Sequence, residues 1–477
     1  MILLFFWLLQ HITFENVKLG DSNPLSDTDY GYFLHITDVH LDSNYIAGAT
    51  LKSACHNLSS SYDVSEQLSK TFGTSGCDSP VILAQKTMDW IKKEWKDKLD
   101  FVVWTGDNQC SIPVIPSLGN NDVVPHNQMI DGDLDKNTNQ LLKYYFDLWQ
   151  DWIPQDQHDQ FQLQGSFIHT IAPHLKVLSL NTMYFIKKND RSDGCKRYGS
   201  AKKQMDWFEQ QLSLAKKNGD KVLVIGHVPP TEEYKQSCFS GYIHIASMYS
   251  DIIVGHLYGH LNKDHFLLYD ASQLQQRQGQ NLTQEQDDDD KIKVNRQYAY
   301  HYRNKIRDTL QQQQAFKFKV KIPKFARQLH KMYAKLDPQL LSNNHNDPSH
   351  FTENSPVIAI QVNPSVLPKY YPTLRIYRYN KKNTTNNVDF GKIMDYQQYF
   401  ANITQWDQEY TSSSSSSLPS YEYQLSYSTL KDYGMKELTA ESFFNFAKKM
   451  VNPKDKSEAN LWKDYVNNIF IRSKLYF

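Results

Sequence analysis

The chain has 477 residues, 40% of them hydrophobic and 13% aromatic, which is enough for a large core with polar insertions. Lys plus Arg and Asp plus Glu both number 52, so the net charge is zero and no global imbalance points to nucleic acid or a membrane surface as the partner. Any polyanion site must be local.

Met1 to Leu9 is apolar and gives way to a polar stretch around Glu15, Lys18 and Asp21. Residues 1–20 read as a signal peptide or signal-anchor, with an apolar run shorter than the roughly 20 residues that span a bilayer. The sequons at Asn57, Asn281, Asn383 and Asn402 agree with passage through a secretory pathway. Five cysteines without CxxC spacing argue against a zinc cluster. The preferred pairing is Cys55 with Cys77 and Cys195 with Cys238, leaving Cys110 over; five reduced buried thiols are the alternative, and spacing alone does not decide between them.

The run Tyr32 to Thr37 predicts a buried strand ending in Asp38-Val39-His40. In an extended segment residues i and i+2 share a side, so Asp38 and His40 can reach one ion while Val39 turns away. A polar loop to Pro80 precedes a helix over Val81–Asp97. Phe101–Thr105 predicts a strand running into Gly106-Asp107, and Pro113–Leu118 one running into Gly119-Asn120. A helix over Asn139–Trp152, strands over Ser166–Ile171 and Leu175–Leu180, and an amphipathic helix over Lys202–Lys217 follow. Strand Lys221–Ile225 meets Gly226-His227, and strand Asp251–Val254 meets a loop containing His256, Gly259 and His260.

After Phe266–Tyr269 the composition turns to Gln, Asn and Asp, including Asp287–Asp290, and reads as a surface insertion. Phe316–Ile322 alternates apolar residues with Lys317, Lys319 and Lys321, either an edge strand guarded by lysines or a polyanion-binding stripe thickened by Lys324, Arg327, Lys331 and Lys335. Strands over Val357–Val362 and Thr373–Tyr379 return the chain to a sheet, Ser412–Ser417 is a loop, and helices over Ala440–Met450 and Leu461–Ile471 close the chain. The organisation this gives is a catalytic domain over 30–270, an insertion over 271–350 and a segment over 351–477 that completes the fold. Strands alternating with helices, with polar residues gathered at strand ends, predict an α/β fold.

Asp38, His40, Asp107, Asn120, His227 and His260 thus all follow predicted strands. They are oxygen and imidazole ligands without a thiolate, and Asp107 is the carboxylate placed to bridge two ions. The series Asp38-x-His40, Gly106-Asp107, Gly119-Asn120, Gly226-His227 and Gly259-His260 resembles the motifs of calcineurin-like metallophosphoesterases. Ser117-Leu-Gly-Asn-Asn-Asp122, Gly226-His-Val-Pro-Pro230, Asp264-His-Phe266 and Tyr371-Pro-Thr-Leu-Arg-Ile-Tyr377 resemble the endopolyphosphatases of fungal type within them.

The resemblance implies a β-sandwich flanked by helices and cleavage inside inorganic polyphosphate chains in a vacuolar setting. It also implies two divalent ions (Mg, Mn, Co or Zn) that activate a water between them. Asp38, His40 and Asp107 would hold one ion; Asp107, Asn120, His227 and His260 the other. Two positions depart from the wider pattern. Asn121 stands where a proton-donating histidine is common and can donate a hydrogen bond but no proton. Asn262 stands where a histidine ligand is common and offers an amide oxygen, which favours Mg or Mn. His35 and His265 read as supporting residues, and His56 and His256 as loop histidines. The competing functions are a lipid phosphodiesterase resembling acid sphingomyelinase and a silent polyanion-binding protein. Membrane attachment through the N-terminal segment is compatible with either.

Overall fold

The computed structural model describes residues 29–58, 67–106, 113–130, 136–272, 323–337, 340, 357–382, 389–412 and 421–473. In chain order the strands are β1 (Tyr30–Ile36), β2 (Leu41–Asp42), β3 (Ser79–Pro80), β4 (Phe101–Trp104), β5 (Val114–Pro116), β6 (Phe167–Ala172), β7 (Leu175–Ser179), β8 (Lys221–Ile225), β9 (Ile253–Tyr258), β10 (His265–Asp270), β11 (Val357–Val362), β12 (Thr373–Asn380), β13 (Ile393–Phe400) and β14 (Gln424–Ser428). The main helices are α1 (Val81–Trp95), α2 (Lys136–Trp149), α3 (His158–Gln164), α4 (Ser200–Asn218), α5 (Gln236–Met248), α6 (Lys324–Lys335), α7 (Ile403–Ser412), α8 (Thr429–Tyr433), α9 (Ala440–Val451) and α10 (Lys456–Ile469).

Two six-stranded sheets form, in the orders β14-β13-β12-β1-β4-β5 and β10-β11-β9-β8-β7-β6. The period of two sorts their side chains. Phe33 of β1 and Phe101 and Val103 of β4 join the larger core with Val177 and Leu223 of the second sheet, while Leu34, Ile36, Val102 and Trp104 point to the other face. That outer face is covered by Leu83, Met88 and Ile91 of α1 and by Trp406 of α7. Phe33, Phe101, Val177 and Leu223 line one small void, so the sheets pack face to face as the β-sandwich that the resemblance implied.

Strands β1, β4 and β5 run parallel, as do β7, β8 and β9, so each sheet collects its carboxyl ends at one place. The chain beyond residue 350 enters both sheets: β11 lies between β10 and β9, and β12 pairs antiparallel with β1. Asn363, just after β11, donates from its backbone to Tyr258 O at 2.8 Å and from its side chain to His35 O at 3.1 Å, tying the two sheets together beside the strand ends.

Lys324, Arg327, Lys331 and Lys335 are exposed on α6, an amphipathic helix that buries Ala326, Leu329 and Tyr333. One expectation changes. The ninth strand runs to Tyr258, so His256 is inside it and not in a loop; it is buried, with Nδ1 2.6 Å from the Tyr242 hydroxyl.

Both preferred disulfides are present, Cys55–Cys77 and Cys195–Cys238. Cys110, Lys317, Lys319, Lys321, Asn281, Asn383 and Asp287–Asp290 lie outside the described residues, as does the apolar N-terminus. Among the described residues no helix is long and apolar enough to cross a membrane.

Candidate metal centre

The site is built where the carboxyl ends of both sheets meet. After β1 the chain does not stay extended: Asp38 has φ 50 and His40 φ 47, both left-handed, on either side of the buried Val39. Backbone reversal, not strand period, brings the two side chains together, with His40 Nε2 3.5 Å from Asp38 Oδ1. One oxygen of the Asp38 carboxylate is held from two sides. Its Oδ2 accepts from Thr37 Oγ1 at 2.6 Å and from the His260 backbone N–H at 2.8 Å, which leaves Oδ1 toward His40 and, at 3.8 Å, His227 Nε2. Burial alone would raise its pKa, but the field of His227 with the contacts of His40 and Thr37 holds it well below the usual carboxylate range.

After β4, Gly106 adopts φ 116, and a Cβ there would lie 2.5 Å from His227 Nδ1, so only glycine lets the imidazole pass. His227 follows β8 and is fully buried, with Nδ1 2.6 Å from Thr105 O. A carbonyl can only accept, so the proton is on Nδ1 and the lone pair on Nε2. Burial lowers the pKa of the ring.

Asn120, after β5, is the meeting point. Its Oδ1 lies 2.7 Å from His227 Nε2 and 2.8 Å from His260 Nδ1. His260, after β9, has Nε2 3.4 Å from Glu233 Oε2, and the hydrogen bond from His260 lowers the Glu233 pKa. With the amide oriented this way, an acceptor oxygen faces two imidazole nitrogens whose opposite edges meet proton acceptors, an arrangement that a cation satisfies. Asn262, with φ 54, adds a buried Oδ1 that has no hydrogen-bond partner among the described residues. These donors fit a hard or borderline divalent ion. Asn121 is exposed, with Nδ2 3.3 Å from His40 Nε2.

Asp107 lies outside the described residues, and among those described no three His, Cys, Asp or Glu side chains close on one point. The donors brought together are therefore mixed: the Asp38 carboxylate, the Asn120 amide and three imidazoles. His35 supports them from β1, buried with Nε2 2.9 Å from Thr105 Oγ1. His265 is buried in β10 with Nδ1 facing Lys263 O, and half-exposed His56 pairs with Asp42 at 2.7 Å. Of the described sequons, Asn57 is exposed and Asn402 caps α7, its Oδ1 accepting from Gln405 N at 3.2 Å.

Sequence reasoning missed three neighbours: Glu233, Asp78, whose Oδ1 is 3.5 Å from His40 Nδ1, and His126, whose Nε2 is 2.6 Å from Asn120 Nδ2. All three sit in loops without a periodic pattern. Only the position of Glu233, a few residues past Gly226-His227, offered a signal.

Residues 31–262 match the family model described as calcineurin-like phosphoesterase. Curated relatives include the endopolyphosphatase of Cryptococcus neoformans var. neoformans serotype D, 28% identical over 80% of this chain and 62% of its own length. That of Saccharomyces cerevisiae is 36% identical over 55% of this chain and 44% of its own, and that of Neurospora crassa 30% identical over 74% and 52%. The chain spans about half the length of these relatives. A dimetal phosphatase from Danio rerio covers 50% of this chain and 84% of its own at 11% identity and a TM-score of 0.25, a likeness too slight to carry weight. Residues 31–262 therefore make up a calcineurin-like phosphoesterase domain, in a chain similar to the fungal endopolyphosphatases.

Proposed function

We propose that this chain hydrolyses internal phosphoanhydride bonds of inorganic polyphosphate at a divalent metal centre. The observation that carries the reading is the convergence of His227 and His260 on Asn120 Oδ1, from positions 107 and 140 residues away in sequence, in a chain similar to endopolyphosphatases. Asp38, His40 and Asp107 would hold one ion, with Asn262 as an added oxygen, and Asp107, Asn120, His227 and His260 a second. Such ions supply an activated water and neutralise phosphoryl oxygens.

The protein's own residues set the geometry. Thr37 and the His260 backbone fix the free oxygen of Asp38 toward the site, and the Thr105 carbonyl fixes the His227 tautomer. Asn121 donates hydrogen bonds but no proton. This suits a phosphoanhydride, whose leaving phosphate is already a stable anion, better than an alkyl ester. The disulfides are compatible with a secretory or vacuolar compartment, to which residues 1–20 would direct or anchor the chain. Lys317, Lys319 and Lys321 would hold the polyanion, and the sequons would carry glycans.

The test is incubation of the purified protein with long-chain polyphosphate and Mn, with chain length followed on a gel. Fragments of middle length are expected. Release of orthophosphate alone would make the enzyme exo-acting, and an unchanged ladder would refute the assignment.

A further inference from the structure

Helix α6 carries a charge that nothing on it balances. Its residues, Lys324–Lys335, include three lysines and one arginine and no carboxylate. At 3.6 residues per turn Lys324, Arg327, Lys331 and Lys335 fall on one exposed stripe, opposite the buried Ala326, Leu329 and Tyr333. Other helices of the molecule offset their cations: Lys86 lies 3.7 Å from Asp89 on α1, Lys143 2.9 Å from Asp147 on α2, and Lys202 pairs with Asp206 on α4. Lys324, Arg327 and Lys331 form no ion pair with any described residue. In a chain of zero net charge, this surplus is local.

The helix begins beside the metal centre. Phe325, in its first turn, meets the His265 ring edge-on with 4.9 Å between centroids, and the Lys263 ammonium lies 4.9 Å from the centre of the Phe325 ring. Lys263 directly follows Asn262 and donates to Leu261 O at 3.3 Å. The loop that brings His260 and Asn262 to the site thus also carries a cation onto α6. Further along, Tyr333 stacks on Phe266 and its hydroxyl donates to Phe266 O at 2.8 Å, which fixes the helix on β10. From Lys324 to Lys331 the stripe runs about 10 Å, at a rise of about 1.5 Å per residue.

We infer that the solvent face of α6 is an exosite for a linear polyphosphate, holding phosphates of the chain beyond those at the metal centre. An ammonium is a point charge that pairs with a phosphoryl oxygen without demanding one orientation, so a row of them suits a flexible chain charged at every unit. The exposed residues of α6, which also include Gln328 and Ala334, hold no large apolar side chain to enter a lipid surface and no aromatic ring on which a nucleic-acid base would stack. The inference rests on polyphosphate being the substrate, as in the proposed function, but it concerns binding and not cleavage.

The test is fluorescence anisotropy of end-labelled long-chain polyphosphate with the full chain, without added metal so that nothing is cleaved. The triple variant Lys324→Gln, Arg327→Gln, Lys331→Gln changes only exposed side chains of α6, and an unchanged unfolding temperature confirms its fold. A control variant, Lys93→Gln, Lys96→Gln, Lys98→Gln, removes as many exposed cations just before β4, at the end of that strand away from the metal centre. The α6 variant should bind about tenfold more weakly and with a shallower dependence on salt, while the control changes less than about twofold. Unchanged affinity of the α6 variant, or an equal loss in the control, would overturn the inference. So would binding to phosphatidylserine vesicles that the α6 variant loses while it keeps polyphosphate. Absence of cleavage on the gel with a loss confined to the α6 variant would refute the hydrolase and leave the exosite; cleavage with unchanged binding in that variant would refute the exosite alone.

Discussion

The exposed Asn121 amide reaches His40, at the position where a proton donor to an ester leaving group is common. Asn121→His should therefore raise activity on an alkyl phosphodiester relative to polyphosphate by at least about tenfold, the low side of what general acid catalysis supplies. An unchanged ratio of the two kcat/KM values would remove the link between this residue and substrate choice. His256, buried in β9 against Tyr242, has its pKa lowered to about 3 by burial. Unfolding restores an ordinary imidazole, so the unfolded chain binds the extra proton between pH 6.5 and 3. The contribution to stability is complete above pH 6.5 and falls as the pH drops, by about 1.4 kcal/mol per pH unit. Urea denaturation across this range should show a shallower loss for His256→Gln than for the wild type; identical slopes would contradict it.

At the scale of elements, the loop carrying His260 and Asn262 ends on a buried ion pair. Asp264 Oδ1 accepts from Arg375 Nη2 of β12 at 2.6 Å, and Asp264 Oδ2 accepts from the Tyr427 hydroxyl of β14 at 2.5 Å. Arg375 also donates to Gln398 of β13 at 2.8 Å and packs its guanidinium 3.9 Å from the centre of the Tyr396 ring. Removing one partner strands the other charge, so Arg375→Met should lose about 3–5 kcal/mol in urea denaturation, with part of it restored by adding Asp264→Asn. A loss under about 1 kcal/mol would mean that water reaches the pair.

This network also explains what the sequence did and did not disclose. Strands β1, β4 and β8 were legible because they are apolar runs buried on both faces. Strands β13 and β14 escaped because their inward positions carry Gln398, Tyr396 and Tyr427, whose polar atoms find partners distant in sequence. The strand-end donors Asp38, Asn120, His227 and His260 were legible from their places after apolar runs, most of them marked by a glycine, whereas His126 and Asp78 reach the site through loop closure, which no period announces. His256 was misplaced because Gly255 looked like a strand end. In the fold that glycine admits the Ile393 and Leu223 side chains, whose methyl carbons would lie 2.9 and 3.0 Å from a Cβ.

For the whole molecule, the donors belong to two sheets that are joined beside them by Asn363, which follows the strand lying between β9 and β10. A cation that ligates donors from both sheets binds the folded state and not the unfolded one, so it stabilises the sandwich as a unit. Mn at about 100 times its dissociation constant should add about 2.7 kcal/mol, seen as a higher unfolding temperature, and His227→Ala should abolish that gain. An equal gain in the variant would place the ion elsewhere.

The most direct measurement is anomalous diffraction at the Mn edge from crystals grown with Mn. A peak is expected within ligand distance of Asn120 Oδ1, His227 Nε2 and His260 Nδ1, and a second beside Asp38 and His40. Crystals with no peak between the two sheets' strand ends, or with Mn bound only at another site, would contradict it.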